Sequence, residues 1–353
     1  MPTNVIMETR DRAADMIKRE DVQAFLGEVR DHIREKRALN NVGLTIPEVM
    51  LGMLRENIVN YSKLYKHVTV RSVSGTAREL IMGALPEAIW TECCANLNEL
   101  NLTFYDSEVD CYKVGGYFAI CNATLEDSDL NLASEIMTAL GQSIGYALDK
   151  AILYGRNTTA NQKMPLGIVT RLAQTAQPAT YSQTARPWVD LHTTNILSVA
   201  SGVTGAALIQ ALALDFANAK GKYSRGPKLW VMNESTYTKL AASTITQAAD
   251  GSIVTGIFNQ MPVIGGTIEV LDFIPDDVII AGYFDLYLLA ERAGNQFATS
   301  EHVRFLQDQT VMKGTARYDG APRIAEAFVA IGINGVTPDT TMTFAADTAN
   351  TGA

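Results

Sequence analysis

Apolar residues recur at helical spacing over one long stretch, DSDLNLASEIMTALGQSIGYALDKAILYG, from Asp127 to Gly155. Ala133, Ile136, Met137, Leu140, Ile144, Ala147, Leu148, Ala151 and Ile152 fall on a single stripe. Asp127, Ser128 and Asp129 supply cap-type side chains for the free N–H groups of a first turn, and Gly155 is placed to end the helix in a left-handed conformation. About 25 residues at 1.5 Å rise make a rod of roughly 37 Å.

The patterning before this spine comes in two parts. DVQAFLGEVRDHIREKRAL is a helical pattern with Phe25, Leu26, Val29 and Ile33 among charges of both signs, and it carries too little apolar surface for a core of its own. It reads either as an arm that binds a partner or as a solvated first helix on the body. Gly43-Leu44-Thr45-Ile46-Pro47 then turns into a second helix, EVMLGMLRENIVNYSKLYKHV, with Thr45 as cap and Pro47 in the first turn. From Lys66 to Cys121 the period changes to two. VTVRSV and TARELIM precede a stretch from Gly83 to Glu99 with little strand signal, and alternation returns through Leu102, Phe104, Val109, Cys111, Val114, Phe118 and Ile120. Two long strands joined by that tip make an extended hairpin. A hairpin is marginal alone in water, so this one is expected against another subunit.

After the spine, RNTTANQKMPLGIV reads as a polar loop, and QTAQPATYSQTARPWVD as a linker. Mixed α/β patterning follows: helix GAALIQALALDFANAK, strand PKLWVMN, helix ESTYTKLAAS capped by Asn233 or Ser235, and strands TIEVLDF and DVIIAGYF. Strands return over 300–318 and 323–334, and the tail TPDTTMTFAADTANTGA is expected to fray or to lie on a neighbour.

Composition narrows the chemistry. The chain has 353 residues, 47% hydrophobic and 19% charged, which is ordinary for a globular protein of more than one domain. The first forty residues hold eight Lys/Arg and eight Asp/Glu, about twice the overall charge density. No apolar h-region opens the sequence and no run of about 18 apolar residues occurs, so neither a signal peptide nor a membrane span is expected. Four cysteines, Cys93, Cys94, Cys111 and Cys121, make no disulfide framework, which suits a reducing cytosol. Cys93 and Cys94 are either free thiols or partners in an intersubunit disulfide.

The net charge of −9 argues against a nucleic-acid binder that works by phosphate neutralisation. It leaves room for a surface that lies beside nucleic acid without sticking.

Gly141-Gln142-Ser143-Ile144-Gly145 matches G-x-S-x-G, the nucleophile elbow of serine hydrolases, and makes a Ser143 hydrolase the distant alternative. That elbow requires a strand before the serine, whereas here helical phase runs straight through, so close helix packing explains the glycines better. His32, His67, His192 and His302 share no metal-ligand spacing with one another or with the cysteines, and no P-loop or dinucleotide fingerprint is present. No cofactor and no enzymatic activity are expected. Lys220, Lys222 and Arg225 are the only compact basic cluster outside the first forty residues.

The order and spacing of these pieces resemble the major capsid proteins of tailed bacteriophages, the Hong Kong ninety-seven fold. The stretches that carry the resemblance are GLTIPEVMLGMLRENIVNYSKLYKHVTVRSVSG, PEAIWTECCANLNELNLTF, YKVGGYFAICNATLEDSDLNLASEIMTALGQSIGYALDKAILYG, MPLGIVTRL and GYFDLYLLAERAGNQFATSEHVRFLQDQTVMKGTARYDGAPRIAEAFVAIGI, together about residues 43–336. The resemblance implies an α+β fold with a charged N-terminal arm over 1–42 and a P-domain over 43–190. That P-domain would hold the E-loop (about 66–120) and the spine helix (about 128–154). An A-domain over 191–290, P-domain strands over 291–321, a last strand over 322–340 returning to the A-domain, and a polar tail over 341–353 would complete it.

By the same resemblance, copies would close into pentamers and hexamers of an icosahedral shell around packaged double-stranded DNA. Assembly would take place in the bacterial cytoplasm with a portal, and with scaffolding or decoration proteins where the phage has them. An encapsulin-like nanocompartment shell is the alternative. Glu87, Trp90 and Glu92 near the hairpin tip would touch a neighbouring subunit, or Trp90 would plug its own hairpin. Arg34, Lys36 and Arg37 would form intersubunit ion pairs or remain a solvated run. Some family members weld the shell through an E-loop lysine. Here no lysine lies between Lys66 and Lys113, so no such crosslink is expected.

Overall fold

A computed structural model describes residues 48–73, 77–82, 104–109, 111–122, 131–157, 163–179, 181, 186–244, 246–247, 253–254, 260–292 and 296–347. Its chain divides into two units, the first formed by described residues within 1–66, 112–150 and 292–318, the second by those within 67–111, 151–291 and 319–353.

In the first unit, α1 (Glu48–Tyr61) lies beside α2 (Asn131–Tyr154), the spine helix, of which residues up to Lys150 belong here. Ile136, Met137, Leu140, Ile144 and Leu148 are buried, as the stripe requires. Asp127, Ser128 and Asp129 lie outside the described residues. A strand β4 (Tyr112–Cys121) pairs antiparallel with β13 (Gln309–Pro322) from Gln309–Cys121 to Tyr318–Tyr112, and on its other side β13 pairs with β12 (Gln296–Arg304). The β12–β13 hairpin turns through a 3₁₀ turn at Phe305–Gln307, closed by Asp308 in left-handed conformation. Asp tolerates that region better than most residues.

In the second unit, five strands run in the order β5–β14–β10–β6–β9: β5 (Ile196–Ser198), β14 (Phe328–Gly332), β10 (Val278–Gly282), β6 (Leu229–Met232) and β9 (Thr267–Val270). β10 is antiparallel to β14 and β6, while β5 and β9 join in parallel. The residues of β6, β10 and β14 are buried throughout, so they read as continuous apolar runs without alternation. One face is covered by α4 (Gly205–Phe216) and α5 (Glu234–Thr244), whose Leu208, Leu212, Phe216 and Leu240 pack on Trp230, Met232, Ile279 and Ile331. Asn233, rather than Ser235, caps α5, its Oδ1 accepting the Thr236 N–H at 2.7 Å. After α5, a short antiparallel ladder pairs β7 (Thr246–Gln247) with β8 (Ile253–Val254).

The same unit contains the hairpin of β2 (Ala77–Met82) and β3 (Phe104–Val109), paired from Ala77–Val109 to Met82–Phe104 around residues 83–103, which lie outside the described set. β1 (Thr69–Val73) runs beside β11 (Tyr287–Arg292). The returning alternation is therefore divided: 104–109 completes the hairpin, and 112–121 pairs with β13 instead.

Four further features differ from the sequence expectation. Gly155 is not left-handed; Asn157, two residues on, has the positive φ. Glycine at 155 serves close approach, because a Cβ there would sit 2.1 Å from Pro165 O, and the Gly167 N–H donates to Gly155 O at 2.9 Å. The loop after the spine contains a short helix α3 (Ile168–Leu172), whose five residues are too few to show a period. The 174–190 linker is anchored: Arg171 donates to Val189 O at 3.1 Å and stacks on Trp188 at 5.2 Å. The described part of the tail is held on its own chain, with Arg156 Nη2 donating to Met342 O at 2.6 Å and its guanidinium over the Phe344 ring.

Candidate assembly surfaces

Gly141, Gly145 and Asp149 follow one another at i, i+4 and i+8 and form one ridge on α2. A Cβ on Gly141 would lie 2.6 Å from Asn57 Cβ, and one on Gly145 would lie 3.1 Å from the Ser62 nitrogen. The missing side chains thus let α1 and the turn after it come into backbone contact with the ridge. Asp149 completes it. Its carboxylate, 2% exposed, accepts the Ser62 hydroxyl at 2.5 Å and the N–H groups of Lys63 and Leu64 at 2.9 and 3.1 Å. Burial pushes its pKa up to about 6, against the lowering pull of those three donors.

Ser143, on the opposite side of the same helix, is exposed, and its hydroxyl donates back to Ala139 O at 2.8 Å. This i−4 back-bond is a routine fate of serine in a helix interior. With helix on both sides and no strand-to-helix turn, Ser143 does not sit at the nucleophile elbow that a serine hydrolase of this motif requires.

Among the described residues of the first unit, the most exposed apolar side chains sit at the β12–β13 turn: Val303 (71%), Phe305 (76%) and Leu306 (93%). The turn beneath them is built firmly. Asn122 donates its N–H to Asp308 O at 3.0 Å and its Nδ2 to Asp308 Oδ1 at 2.8 Å, and accepts the buried Thr310 hydroxyl at 2.7 Å. Arg304 donates to Gln309 Oε1 at 3.0 Å across the hairpin. A fixed turn holding three large apolar side chains in water is the mark of a contact surface. The second unit has a smaller counterpart. The turn Met261–Gly266 presents Val263, 95% exposed and at φ +66°, a strained conformation for a β-branched residue.

Glu87, Trp90, Glu92, Arg34, Lys36 and Arg37 all lie outside the described residues, as do Cys93, Cys94 and His32. His67 pairs with Glu269 at 3.0 Å, and His192 and His302 are exposed. Among the described residues no group of His, Cys, Asp and Glu is arranged to hold a metal ion, and no helix is long and apolar enough to cross a membrane. The turn at Val303–Leu306 and the buried Asp149 escape a sequence reading for opposite reasons. The first counts as ordinary strand alternation, and the second is a charge beside an apolar stripe, detectable only as the i+4 continuation of the two glycines.

Residues 42–333 match the model of the phage capsid family. Solved structures of similar fold include the capsid of a native GTA particle, 16% identical over 77% of this chain and 90% of that one, with a TM-score of 0.53. A chain of Mycobacterium phage Adephagia is 14% identical over 79% and 91%, TM-score 0.56. A chain of the satellite phage P4 procapsid, which includes the size determination (Sid) protein, is 12% identical over 87% and 96%, TM-score 0.54. Likeness at such identities concerns the fold alone. No curated protein matches the sequence significantly. The spine with its glycine ridge and the exposed hairpin turn are thus set in the α+β fold of phage major capsid proteins, and the chain belongs to the phage capsid family.

Proposed function

We propose that this chain is the major capsid protein of a tailed phage or prophage, closing into pentamers and hexamers of an icosahedral shell around packaged double-stranded DNA. The single observation that carries self-assembly is the Val303–Leu306 turn, a firmly held apolar surface that the described residues leave open to water. Covering Phe305 and Leu306 with another copy is worth about 3–6 kcal/mol per turn. Modest contacts suffice because each subunit makes many of them at once. In this reading, the E-loop (66–120), the P-domain (43–190 and 291–321), the A-domain (191–290 with 322–340) and the arm (1–42) take the roles stated above. Glu87, Trp90, Glu92, Arg34, Lys36 and Arg37 supply contacts to neighbouring copies. Portal, scaffolding and decoration proteins are the further partners, and assembly takes place in the host cytoplasm.

Negative-stain microscopy of the expressed protein tests the reading: shells or capsomers support it, and a persistent monomer overturns it. The double variant Phe305→Glu, Leu306→Glu should keep the wild-type melting temperature, because both side chains are exposed, and should fail to form shells. Normal shells from that variant would remove the turn from the assembly surface. With no lysine between Lys66 and Lys113, mature particles should run as a single subunit band on a denaturing gel. A ladder of linked subunits would show that a crosslink forms by another route.

A further inference from the structure

The loop between α4 and β6 has its backbone shape fixed by hydrogen bonds and close packing. The Lys220 N–H donates to Glu326 O at 2.8 Å. The Asp285 carboxylate then gathers the Ser224 hydroxyl at 2.7 Å and the N–H groups of Arg225 and Gly226 at 2.9 and 3.1 Å. Gly221 admits the Tyr283 ring, whose Cζ lies 2.4 Å from where a Cβ would stand. On this frame Lys220, Lys222 and Arg225 point three cations into water. Among the described residues, no carboxylate pairs with any of the three.

The aromatic ring in the loop is already engaged. Arg186 lies 5.5 Å from the centre of the Tyr223 ring and Lys222 lies 5.7 Å from it, so Tyr223 positions cations and is not a platform for stacking bases. Arg186 in turn is shared with Glu326 at 3.7 Å. A fixed triplet of exposed cations without an apolar centre suits a partner read by charge. Lysine is depleted at the cores of protein interfaces, whereas phosphate contacts draw on Lys and Arg of this kind.

The geometry points to loop 220–225 as a contact for the phosphodiester backbone of double-stranded DNA, sequence-independent and weak in each copy. On a chain of net charge −9 it is a local attraction set in a repelling surface, which holds DNA without gripping it. The inference rests on the shell reading only for the source of the DNA.

The test is fluorescence anisotropy of the full chain with a labelled random-sequence duplex at low salt, alongside microscopy of assembly. Wild-type binding should fall with salt at a log–log slope of about −3, as three phosphate contacts require. Lys220→Gln, Lys222→Gln, Arg225→Gln should weaken binding by about 10-fold or more at low salt, keep the melting temperature and still form shells. Lys220→Arg, Lys222→Arg should bind as wild type. Absence of wild-type binding, or equal binding by the Gln variant, overturns the inference. A Gln variant that binds DNA normally but does not assemble also overturns it and assigns the loop to an acidic surface of another copy. Failure of the wild type to form shells would sink the shell reading while leaving the anisotropy result to stand by itself.

Discussion

Gly155→Ala should destabilise the second unit by upward of about 3 kcal/mol, the top of the range for forcing a methyl group into filled space. The added Cβ would stand 2.1 Å from Pro165 O and 2.5 Å from Ala151 O. Both obstacles are backbone, so no side-chain rotation relieves them. The opposing gain, about 1 kcal/mol from replacing glycine by alanine at a helix end, is too small to reverse the sign. The segment across from it is equally fixed. The Leu166 N–H donates to Gly320 O at 2.7 Å, and the buried Tyr287 hydroxyl donates to Leu166 O at 3.1 Å. Gly167→Ala should behave alike, with its Cβ 2.3 Å from the Gly155 nitrogen. Gly116→Ala is the control: nothing lies within 4 Å of a Cβ there, so it should be neutral or stabilise by about 0.5–1 kcal/mol through the unfolded chain. The measurement is the shift of the urea midpoint at constant slope. A Gly155→Ala midpoint matching that of Gly116→Ala would mean that the 155–167 contact yields to a methyl group.

The elements legible in the sequence are those whose periodicity reports a single environment. The spine shows its buried stripe directly, α4 and α5 show theirs, and β6 and β10 announce burial on both faces by unbroken apolar runs. Features that depend on what comes across from elsewhere in the chain are not legible. β5 is three residues long and is defined by its parallel pairing with β14, 134 residues further on. Gly155 looks like a helix stop by position, yet its reason for being glycine is the carbonyl of Pro165, which no local window contains. The glycines flanking Ser143 are packing positions, as helical phase through them requires, since it excludes a strand-to-helix elbow. Their partners, Asn57, Ile58 and Ser62, become visible only in the fold. Alternation alone does not tell that 104–109 turns back on 77–82 while 112–121 pairs with 309–318, since both have period two.

Replacing Asp149 by alanine should cost about 3–5 kcal/mol, since the Ser62 hydroxyl and the Lys63 and Leu64 N–H groups lose their common acceptor in a buried place. The more discriminating experiment uses pH. The carboxyl titrates near 3.8 in the unfolded chain and at about 6 when folded. Between these values the folded protein keeps a proton that the unfolded one has released. The stabilising contribution is therefore complete below about pH 4, declines as pH rises, and is gone above the folded value. Acid also weakens other carboxylate contacts, so the quantity to follow is wild type minus Asp149→Asn, in which only residue 149 differs. Asparagine titrates nowhere and places an NH₂ group or an oxygen, but not two acceptors, before the three donors; that adds a constant penalty of about 1–3 kcal/mol. From pH 7 to pH 4.5 the advantage of wild type over Asp149→Asn should grow by about 2 kcal/mol. A difference that stays flat would mean that the three hydrogen bonds cancel the effect of burial. A difference that shrinks on acidification would mean that they outweigh it, and that the ridge on α2 is held by a carboxylate stabilised in its charged form.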